Sequence, residues 1–216
     1  PILLDGHGVG RSRYRRELVL TNRGPTAASV ELTYTAATAL RAVGSGTVSE
    51  PLGPGRQLVL DDALAYLRGR GLAIPQAFPG ASQGGTLRAR FRGLSSPDAG
   101  AAIGRTTALL AEGRAGVAYP GLAPSEWAEA SAQRVFGLRE TAAERSNLAM
   151  ANLDAEGDVS LTVTLYSGSR SDRRSYVLPE TIQLGPLQWT QLNSVLARAG
   201  FANGWAVVER VGGSAP

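Results

Sequence analysis

The chain has 216 residues, of which 43% are hydrophobic and 19% charged, a composition typical of a globular protein. It contains no cysteine, which excludes disulfides, thiolate nucleophiles and cysteine-based metal sites. The net charge is +4, and all 22 basic residues are arginines that are interleaved with 18 acidic residues. This even spread favours a solvated surface and argues against nucleic acid as a partner.

The hydrophobic residues are scattered along the chain. No run approaches the roughly 18 apolar residues that cross a bilayer, so the sequence predicts no transmembrane segment. The first residue is Pro1 in place of an initiator Met. We therefore expect the sequence to be a processed chain or a fragment of a longer one.

A phrase near the start of the chain occurs twice. Residues 15–35, RRELVLTNRGPTAASVELTYT, reappear as residues 145–167, RSNLAMANLDAEGDVSLTVTLYS, with Asn22 aligned to Asn152. Each copy has two segments of alternating apolar and polar residues with turn-forming residues between them, a pattern typical of half-buried strands. We predict that the two strands of each copy pair with each other in the antiparallel sense.

The likeness continues beyond the repeated phrase. Each copy goes on with a Leu-Gly-Pro segment, a strand, a short helix that ends at a glycine, and a further strand. Asp62 and Asn193 are the predicted N-caps of the two helices. The further strands are predicted over residues 86–91 and 205–210. Three matched blocks in the same order indicate two copies of one unit.

The predicted units differ at their ends. The first copy continues with two more predicted strands, over residues 101–110 and 116–119, for which the second copy has no equivalents. The sequence predicts an all-β fold of two tandem antiparallel β-sandwich units, each with one short helix, and the second unit incomplete. The units are predicted over 1–122 and 135–216, joined by a linker with a short helix over 123–134.

Several of these matched residues carry a resemblance to a known group of proteins. The pattern Arg-x-x-Leu-x-Leu-Thr-Asn over 15–22, Leu-Gly-Pro-Gly over 52–55 and the helix over 62–67 resemble tandem-repeat exported proteins of high-GC bacteria. The resemblance implies immunoglobulin-like β-sandwich modules in a secreted or cell-surface protein, and it implies no particular activity. The chain departs from a plain immunoglobulin fold by the helix in each unit.

Residues for catalysis are sparse. His7 is the only histidine and stands in a glycine-rich stretch, which favours a surface loop over a catalytic triad, because no serine lies in a Gly-x-Ser-x-Gly elbow. Paired carboxylates for glycoside hydrolysis are offered by Asp61 with Asp62 and by Glu126 with Glu129. Such neighbours are more typical of caps and surface charges, so we predict that the chain is not an enzyme and needs no cofactor.

One turn of the second copy has oxygen ligands at alternate positions. Asn152, Asp154, Glu156 and Asp158 resemble the start of a calcium loop. Position twelve of that loop is Val163 where calcium loops have Glu, and the turn of the first copy has no carboxylate. The sequence therefore favours a plain solvated turn, with Ca²⁺ as the alternative.

One predicted strand carries a stripe of positive charge. Arg88, Arg90 and Arg92 alternate with apolar residues, so their guanidinium groups lie on one face. Such a face could bind the sulfates or carboxylates of an anionic glycan. The alternative is the solvated face of an antiparallel sheet.

The aromatic residues suggest a second kind of site. Trp189 and Trp205 occupy strand positions whose counterparts in the first copy are apolar or small, so we predict them in the core. Trp127 lies in the predicted linker helix and either plugs the space between units or stacks on a sugar. Tyr14 and Tyr119 complete the candidate sugar-stacking set.

Three functions remain open from the sequence. The first is a non-catalytic extracellular or cell-surface module, structural or adhesive, that binds other protein modules or itself. The second is a carbohydrate-binding module of a secreted polysaccharide-acting protein, which requires exposed aromatic rings. The third is a polysaccharide hydrolase or lyase, which requires a cleft that gathers His7, Asp61 or Asp62 with other acids or arginines.

Overall fold

The computed structural model describes residues 2–7, 13–78, 81–110, 113–123 and 132–215. The chain forms two compact units, Pro1–Ser125 (unit 1) and Glu126–Pro216 (unit 2). Both consist mainly of antiparallel strands, which confirms the predicted all-β, sandwich-like fold. Within the described ranges, no helix has the length and apolar character needed to cross a membrane.

The described part of unit 1 consists of strands and three short helical segments. Its described strands are β1 (Ile2–His7), β2 (Arg13–Asn22), β3 (Ala28–Ala36), β4 (Gly46–Leu52), β5 (Gln57–Leu60), β6 (Gln83–Arg92), β7 (Gly100–Leu110) and β8 (Gly113–Pro120). The helical segments are α1 (Ala63–Gly69) and the 3₁₀ helices Thr38–Leu40 and Pro97–Ala99.

The strands of unit 1 form two layers that share β1. One layer has the order β4–β3–β6–β1. In the other layer, β7 pairs with one edge of β2, β8 pairs with β7, and β5 and β1 pair with the opposite edge of β2. Residues Ile2–Asp5 of β1 pair with β6, and its last two residues, Gly6 and His7, pair with β2. His7 thus ends a strand, and its predicted position in a surface loop is wrong.

The two strands of the repeated phrase do not pair with each other. β2 pairs with β1, β5 and β7, whereas β3 pairs with β4 and β6 in the other layer. The predicted strands are therefore present, but their predicted pairing is wrong. Alternation indicates that one face of a strand is buried, and it does not identify the neighbouring strand.

The core of unit 1 lies between its layers. Leu18 and Leu20 of β2 and Leu32 and Tyr34 of β3 are at most 1% exposed, and buried and half-buried positions alternate along the whole of β3. Each fully buried side chain of this size contributes about 1.5–3 kcal/mol through the hydrophobic effect. The alternation of apolar and polar residues therefore places one face of each of these strands in the core between the two layers.

Helix α1 packs its apolar face against the same core. Its residues Ala63, Leu64 and Leu67 are buried. The carboxylate of Asp62 accepts a hydrogen bond of 2.9 Å from the Ala65 N–H, which confirms the predicted N-cap.

Unit 2 contains a smaller set of elements. Its described strands are β9 (Ala132–Arg139), β10 (Leu148–Ala151), β11 (Val159–Ser167), β12 (Ser175–Val177), β13 (Ile182–Leu184), β14 (Trp189–Leu192) and β15 (Asn203–Gly212). One layer has β12 and β13 on one edge of β11, followed by β15 and β9, and the other layer is the pair β10–β14.

The helical segment of unit 2 is a 3₁₀ helix, Val195–Ala199. Ser194 precedes it with a φ of 45°, and its side chain makes no capping hydrogen bond. The Asn193 side chain instead accepts a hydrogen bond of 2.7 Å from Gln191, so its predicted role as N-cap is wrong. The shorter helix begins one residue later than the sequence indicates.

Asn22 ties together two connections of unit 1. Its Nδ2 donates to the carbonyl oxygens of Thr26, Leu52 and Gly53 at 2.8, 3.1 and 3.1 Å. Its Oδ1 accepts from the Gly24 N–H at 3.0 Å. The side chain is fully buried and joins the end of β2, in one layer, to the end of β4, in the other.

The asparagine at the end of β10 has the same surroundings. Asn152 Nδ2 donates to the carbonyl oxygens of Gly157, Leu184 and Gly185 at 2.8, 3.2 and 3.0 Å. Its Oδ1 accepts from the Asp154 N–H at 3.0 Å. The repeated Asn therefore has one structural task in both units.

The region between the two units is only partly described. Strand β9 begins at Ala132, inside the predicted linker 123–134. The predicted linker helix, with Trp127, Glu126 and Glu129, lies outside the described residues.

Candidate functional site

The arginine stripe lies on the outer face of the β4–β3–β6–β1 layer. Arg88, Arg90 and Arg92 are exposed, while the intervening residues of β6 are half-buried. On the neighbouring strand β3 their partners are Thr33, Glu31 and Ser29, respectively. The stripe thus runs beside a row of hydroxyl groups with one carboxylate in its middle.

Glu31 partly neutralises the stripe. Its carboxylate lies 3.0 Å from the Arg92 guanidinium. The hydrogen bond from Arg92, together with the positive charges of Arg92 and Arg90, holds the pKa of Glu31 below its usual value. Arg88 lies furthest along the stripe from this pair.

Tyr119 and Tyr14 lie on the other layer of unit 1. Tyr119 is 51% exposed and stands opposite Gly104, which in turn stands opposite Leu18. Because side chains directly opposite each other share a face, Tyr119 lies on the face that carries the core residues of β2. Tyr14 and Arg16 alternate with Leu18, so they lie on that face as well.

An arginine contacts the Tyr119 ring. The Cζ atom of Arg16 lies 5.9 Å from the ring centroid, within the range of a cation–π interaction. Burial lowers the pKa of Arg16 to about 10, and the nearby Tyr119 acts in the opposite direction. One side of the tyrosine ring is thereby engaged within the chain.

The sugar-stacking and arginine candidates do not form one site. The arginine stripe faces outward from one layer, whereas Tyr14 and Tyr119 lie on the core-facing side of the other layer. Trp127 lies outside the described residues. The candidates predicted in unit 1 therefore belong to separate surfaces.

The predicted calcium turn is held by its own backbone. The carboxylate of Asp154 accepts hydrogen bonds from the N–H groups of Glu156 and Gly157, and that of Asp158 accepts from the Ser214 N–H at 3.1 Å. The hydrogen bonds from Ser214 also hold the pKa of Asp158 below its usual value. No group of three or more potential metal-binding side chains occurs in the described ranges. The Ca²⁺ alternative stays a prediction.

Of the acids considered for catalysis, the structure describes Asp61 and Asp62, whereas Glu126 and Glu129 lie outside the described residues. Asp61 is exposed, and Asp62 caps helix α1. The structure describes the backbone of His7 and leaves its side chain outside the description. The prediction that the chain is not an enzyme therefore stays a prediction.

A row of aromatic side chains crosses the outer face of unit 2. Tyr166 on β11 is paired in register with Trp205 on the neighbouring strand β15, and their ring centroids are 4.1 Å apart with 9° between the planes. Phe136 on β9 flanks Trp205 from the other side, at 5.7 Å and 30°. We name these three residues the aromatic row.

The rings of the aromatic row stand upright on the sheet. Neighbouring strands are about 4.8 Å apart. Tyr166 and Trp205 stack nearly parallel at 4.1 Å across two such strands, so their planes are nearly perpendicular to the direction that joins the strands. Trp205 therefore has an aromatic ring on each side. Phe136, at 69% exposure, is the most open member of the row.

The apolar surface extends beyond the aromatic row. Val177 of β12 is 59% exposed and stands opposite Thr164 of β11, on the same face as Tyr166. An open groove of about 510 Å³ has a lining that includes Arg139 and two chain neighbours of the row, Gly137 and Gly204. Aromatic side chains and a valine thus adjoin on the outer face.

The corresponding positions of unit 1 hold two threonines, of which Thr86 is buried. Thr35 pairs with Thr86 on β3 and β6, at the positions that Tyr166 and Trp205 occupy on β11 and β15. Unit 1 thus has threonines where unit 2 has its central aromatic pair. The two units share a scaffold and differ in the chemistry of this outer face.

The aromatic row was missed in the sequence. Trp189 is 4% exposed, as predicted, but Trp205 is half-buried on the outer face, and its predicted place in the core is wrong. The alternation along β15 indicates the correct face, because Trp205 immediately precedes the buried Ala206 and neighbouring strand residues point to opposite faces. The prediction placed Trp205 in the core because tryptophan is apolar.

Comparison of the chain with protein-family models, with curated proteins and with solved structures found no match. The functional conclusion therefore rests on the geometry of the two units.

Proposed function

We propose that the protein is a non-catalytic structural or adhesive module, secreted or displayed on the cell surface, that binds a second copy of itself through the outer face of unit 2. The observation that carries this proposal is the aromatic row of Phe136, Trp205 and Tyr166, with Val177 beside it. The extracellular location rests on the resemblance in the sequence.

The chemistry of the row suits a protein partner. Aromatic side chains are enriched in protein interfaces, where they provide large contact areas at low cost in side-chain entropy. Contiguous exposed apolar surface is unusual on a monomer and is typical of interaction sites. Sugar stacking needs an uncovered ring face, whereas Tyr166 and Trp205 cover each other's faces by stacking at 4.1 Å.

The two units support a role as a scaffold. The matched asparagines hold equivalent connections in both units, whereas the outer faces differ between threonine and aromatic residues. We interpret this as a tandem repeat in which one framework carries different surfaces. Variation confined to the surface is what an interaction module requires.

Sedimentation equilibrium of the full chain tests the proposal. The wild-type chain is expected to self-associate, and Phe136→Ser is expected to weaken association at least about tenfold, equivalent to about 1.4 kcal/mol. Phe136 is 69% exposed, so its replacement leaves the core intact. Ile103→Ser is the matched control, because Ile103 is an exposed apolar strand residue in unit 1. A chain that stays monomeric, or equal weakening by both substitutions, would refute the proposal.

A second candidate is a carbohydrate-binding module of a secreted polysaccharide-acting protein. The arginine stripe beside the hydroxyl groups of β3 favours this function, with anionic glycans as ligands. A glycan array that includes sulfated and uronic-acid polysaccharides tests it. Binding that is lost in Arg88→Ser and kept in Phe136→Ser would favour this candidate over self-association.

A further inference from the structure

Strand β10 has one edge along which no described strand pairs. Within the described ranges β10 pairs with β14 alone. Its counterpart in unit 1, β2, pairs with β5 on one edge and with β7 along the other, from Tyr14 to Asn22. The place that β7 takes in unit 1 thus has no strand in the described part of unit 2.

The backbone direction identifies the groups at this edge. The Asn152 N–H donates to the Gln188 carbonyl, towards the β14 side, at 2.8 Å. In an antiparallel pair, successive residues direct their backbone groups to alternate sides. Ala149 and Ala151 therefore present their N–H and C=O groups to the outer edge of β10.

Unit 1 shows what these groups would bind. The counterparts of Ala149 and Ala151 are Val19 and Thr21, which stand opposite Ile103 and Ala101 of β7. At the end of this ladder the Arg23 N–H donates to the Ala99 carbonyl at 2.7 Å.

The side chains next to the edge are also less covered. Leu18 and Leu20 of β2 are 1% and 0% exposed, whereas their counterparts Leu148 and Met150 are 5% and 8% exposed. The side chains next to the outer edge of β10 are thus buried, but slightly less completely than their counterparts beside β7.

We propose that the outer edge of β10 is a strand-acceptor site, which binds one antiparallel polypeptide strand in the manner of β7. The residues of β7 that face the core of unit 1 are Gly100, Ala102 and Gly104. The expected occupant therefore has glycine or alanine at alternate positions. Open strand edges commonly bind by adding a strand through backbone hydrogen bonds.

The position of Ala215 indicates the direction in which such a strand would run. In unit 1 the chain leaves β6 and passes through the buried Ala99 into β7. In unit 2 the chain after β15 brings the equally buried Ala215 to the turn that follows β10, where its N–H donates to the Asp158 carbonyl at 3.0 Å. A strand that begins beside Ala215 would run along β10 in the direction in which β7 runs along β2.

Amide hydrogen exchange followed by NMR tests the site. A variant of the full chain carries a second copy of residues 100–120 joined after Ala215. In the wild-type chain, the Ala149 and Ala151 amides are expected to exchange at nearly unprotected rates, whereas Val19 and Thr21 are protected. In the extended chain, the exchange of Ala149 and Ala151 is expected to slow at least about tenfold.

The control is the same extension with proline at the copied positions of Ala101 and Ile103. Proline has no N–H, so this strand loses the donors that face the acceptor edge. Equal protection by both extensions, unchanged exchange in the extended chain, or protected Ala149 and Ala151 in the wild-type chain would overturn the proposal.

Discussion

Asn22 and Asn152 lie 130 positions apart and make the same set of hydrogen bonds. Each Nδ2 donates to three carbonyl oxygens, one on the last residue of a strand of the opposite layer and one on the residue that follows it. Each Oδ1 accepts from the N–H two residues later. Because both side chains are buried, these bonds replace water for several backbone groups at once.

Replacing either asparagine is expected to destabilise its unit. In Asn152→Ala, the carbonyl oxygens of Gly157, Leu184 and Gly185 lose their donor while they remain shielded from water. Leaving buried polar groups unsatisfied costs about 1–3 kcal/mol, and we expect a loss of about 3 kcal/mol in the free energy of unfolding. All three tryptophans lie in residues 126–216, so tryptophan fluorescence during urea unfolding measures the effect.

Two further variants sharpen this measurement. Asn152→Asp is expected to be at least as harmful as Asn152→Ala, because it places a carboxylate oxygen against three carbonyl oxygens. Asn22→Ala is expected to lower stability by a similar amount when unfolding is followed by circular dichroism. A loss below about 0.5 kcal/mol in Asn152→Ala, the usual range for surface substitutions, would contradict the structural role.

Much of the fold could be predicted because alternation, turn residues and caps are local signals. The strand that became β3 and the cap at Asp62 follow from residues within a few positions of each other. The pairing of β2 with β5 and β7, and not with β3, depends on contacts distant in sequence. The sequence shows Asn22 only as a residue that recurs in the repeated phrase. Its hydrogen bonds to the end of β4 depend on the opposite layer, which is distant in sequence.

The aromatic row is expected to contribute to the stability of unit 2. A double-mutant cycle of Tyr166→Ala and Trp205→Ala is expected to give a coupling energy of about 1 kcal/mol, because the rings stack at 4.1 Å across neighbouring strands. Urea unfolding followed by circular dichroism measures each variant. Thr35→Ala with Thr86→Ala is the control cycle in unit 1. Additive effects of the two aromatic substitutions would show that the stack contributes nothing.

The arginine stripe gives a prediction for the second candidate function. Glu31→Gln removes the carboxylate that pairs with Arg92, so the net charge of the stripe rises by one. Heparin affinity is expected to rise about threefold at low salt, and the gain should shrink as salt is added. Glu17→Gln is the matched control, because Glu17 pairs with Arg105 on the other layer at 3.2 Å. Equal gains from both substitutions would indicate net charge alone, without a role for the stripe.

The candidate site was harder to predict than the fold. Arg88, Arg90 and Arg92 were assigned correctly to one exposed face, because strand parity is a local property. The aromatic row needs Phe136, Tyr166 and Trp205 from three strands whose order in the sheet is not written in any short segment. The predicted ligand residues Tyr14 and Tyr119 were grouped by residue type, and the sheet separates them from the arginines.

Removing one buried hydroxyl group is expected to leave the chain as stable or more stable. Tyr34 is fully buried, and its hydroxyl has no hydrogen-bond partner among the described residues. Tyr34→Phe relieves the cost of that unsatisfied group, so we expect the free energy of unfolding at neutral pH to stay equal or rise by about 1 kcal/mol. In Tyr66→Phe, where the hydroxyl bonds to Glu50, we expect a loss of about 1 kcal/mol. A Tyr34→Phe variant that loses more than Tyr66→Phe would contradict this account.

The same tyrosine is expected to make stability depend on pH in the alkaline range. Burial raises the pKa of Tyr34 to about 12 from its ordinary value of 10.0, and the nearby Arg68 charge opposes the rise. The folded chain therefore holds this proton more tightly than the unfolded chain. The contribution of this bound proton to the free energy of unfolding is therefore complete below pH 10 and is lost as the pH rises towards 12. Urea unfolding across this interval should show a smaller fall in the free energy of unfolding for Tyr34→Phe than for the wild-type chain. The remaining fall is due to groups such as Tyr66, because burial also raises the pKa of Tyr66 to about 12. An identical decline in wild type and Tyr34→Phe would show that Tyr34 ionises freely and is not held in the core.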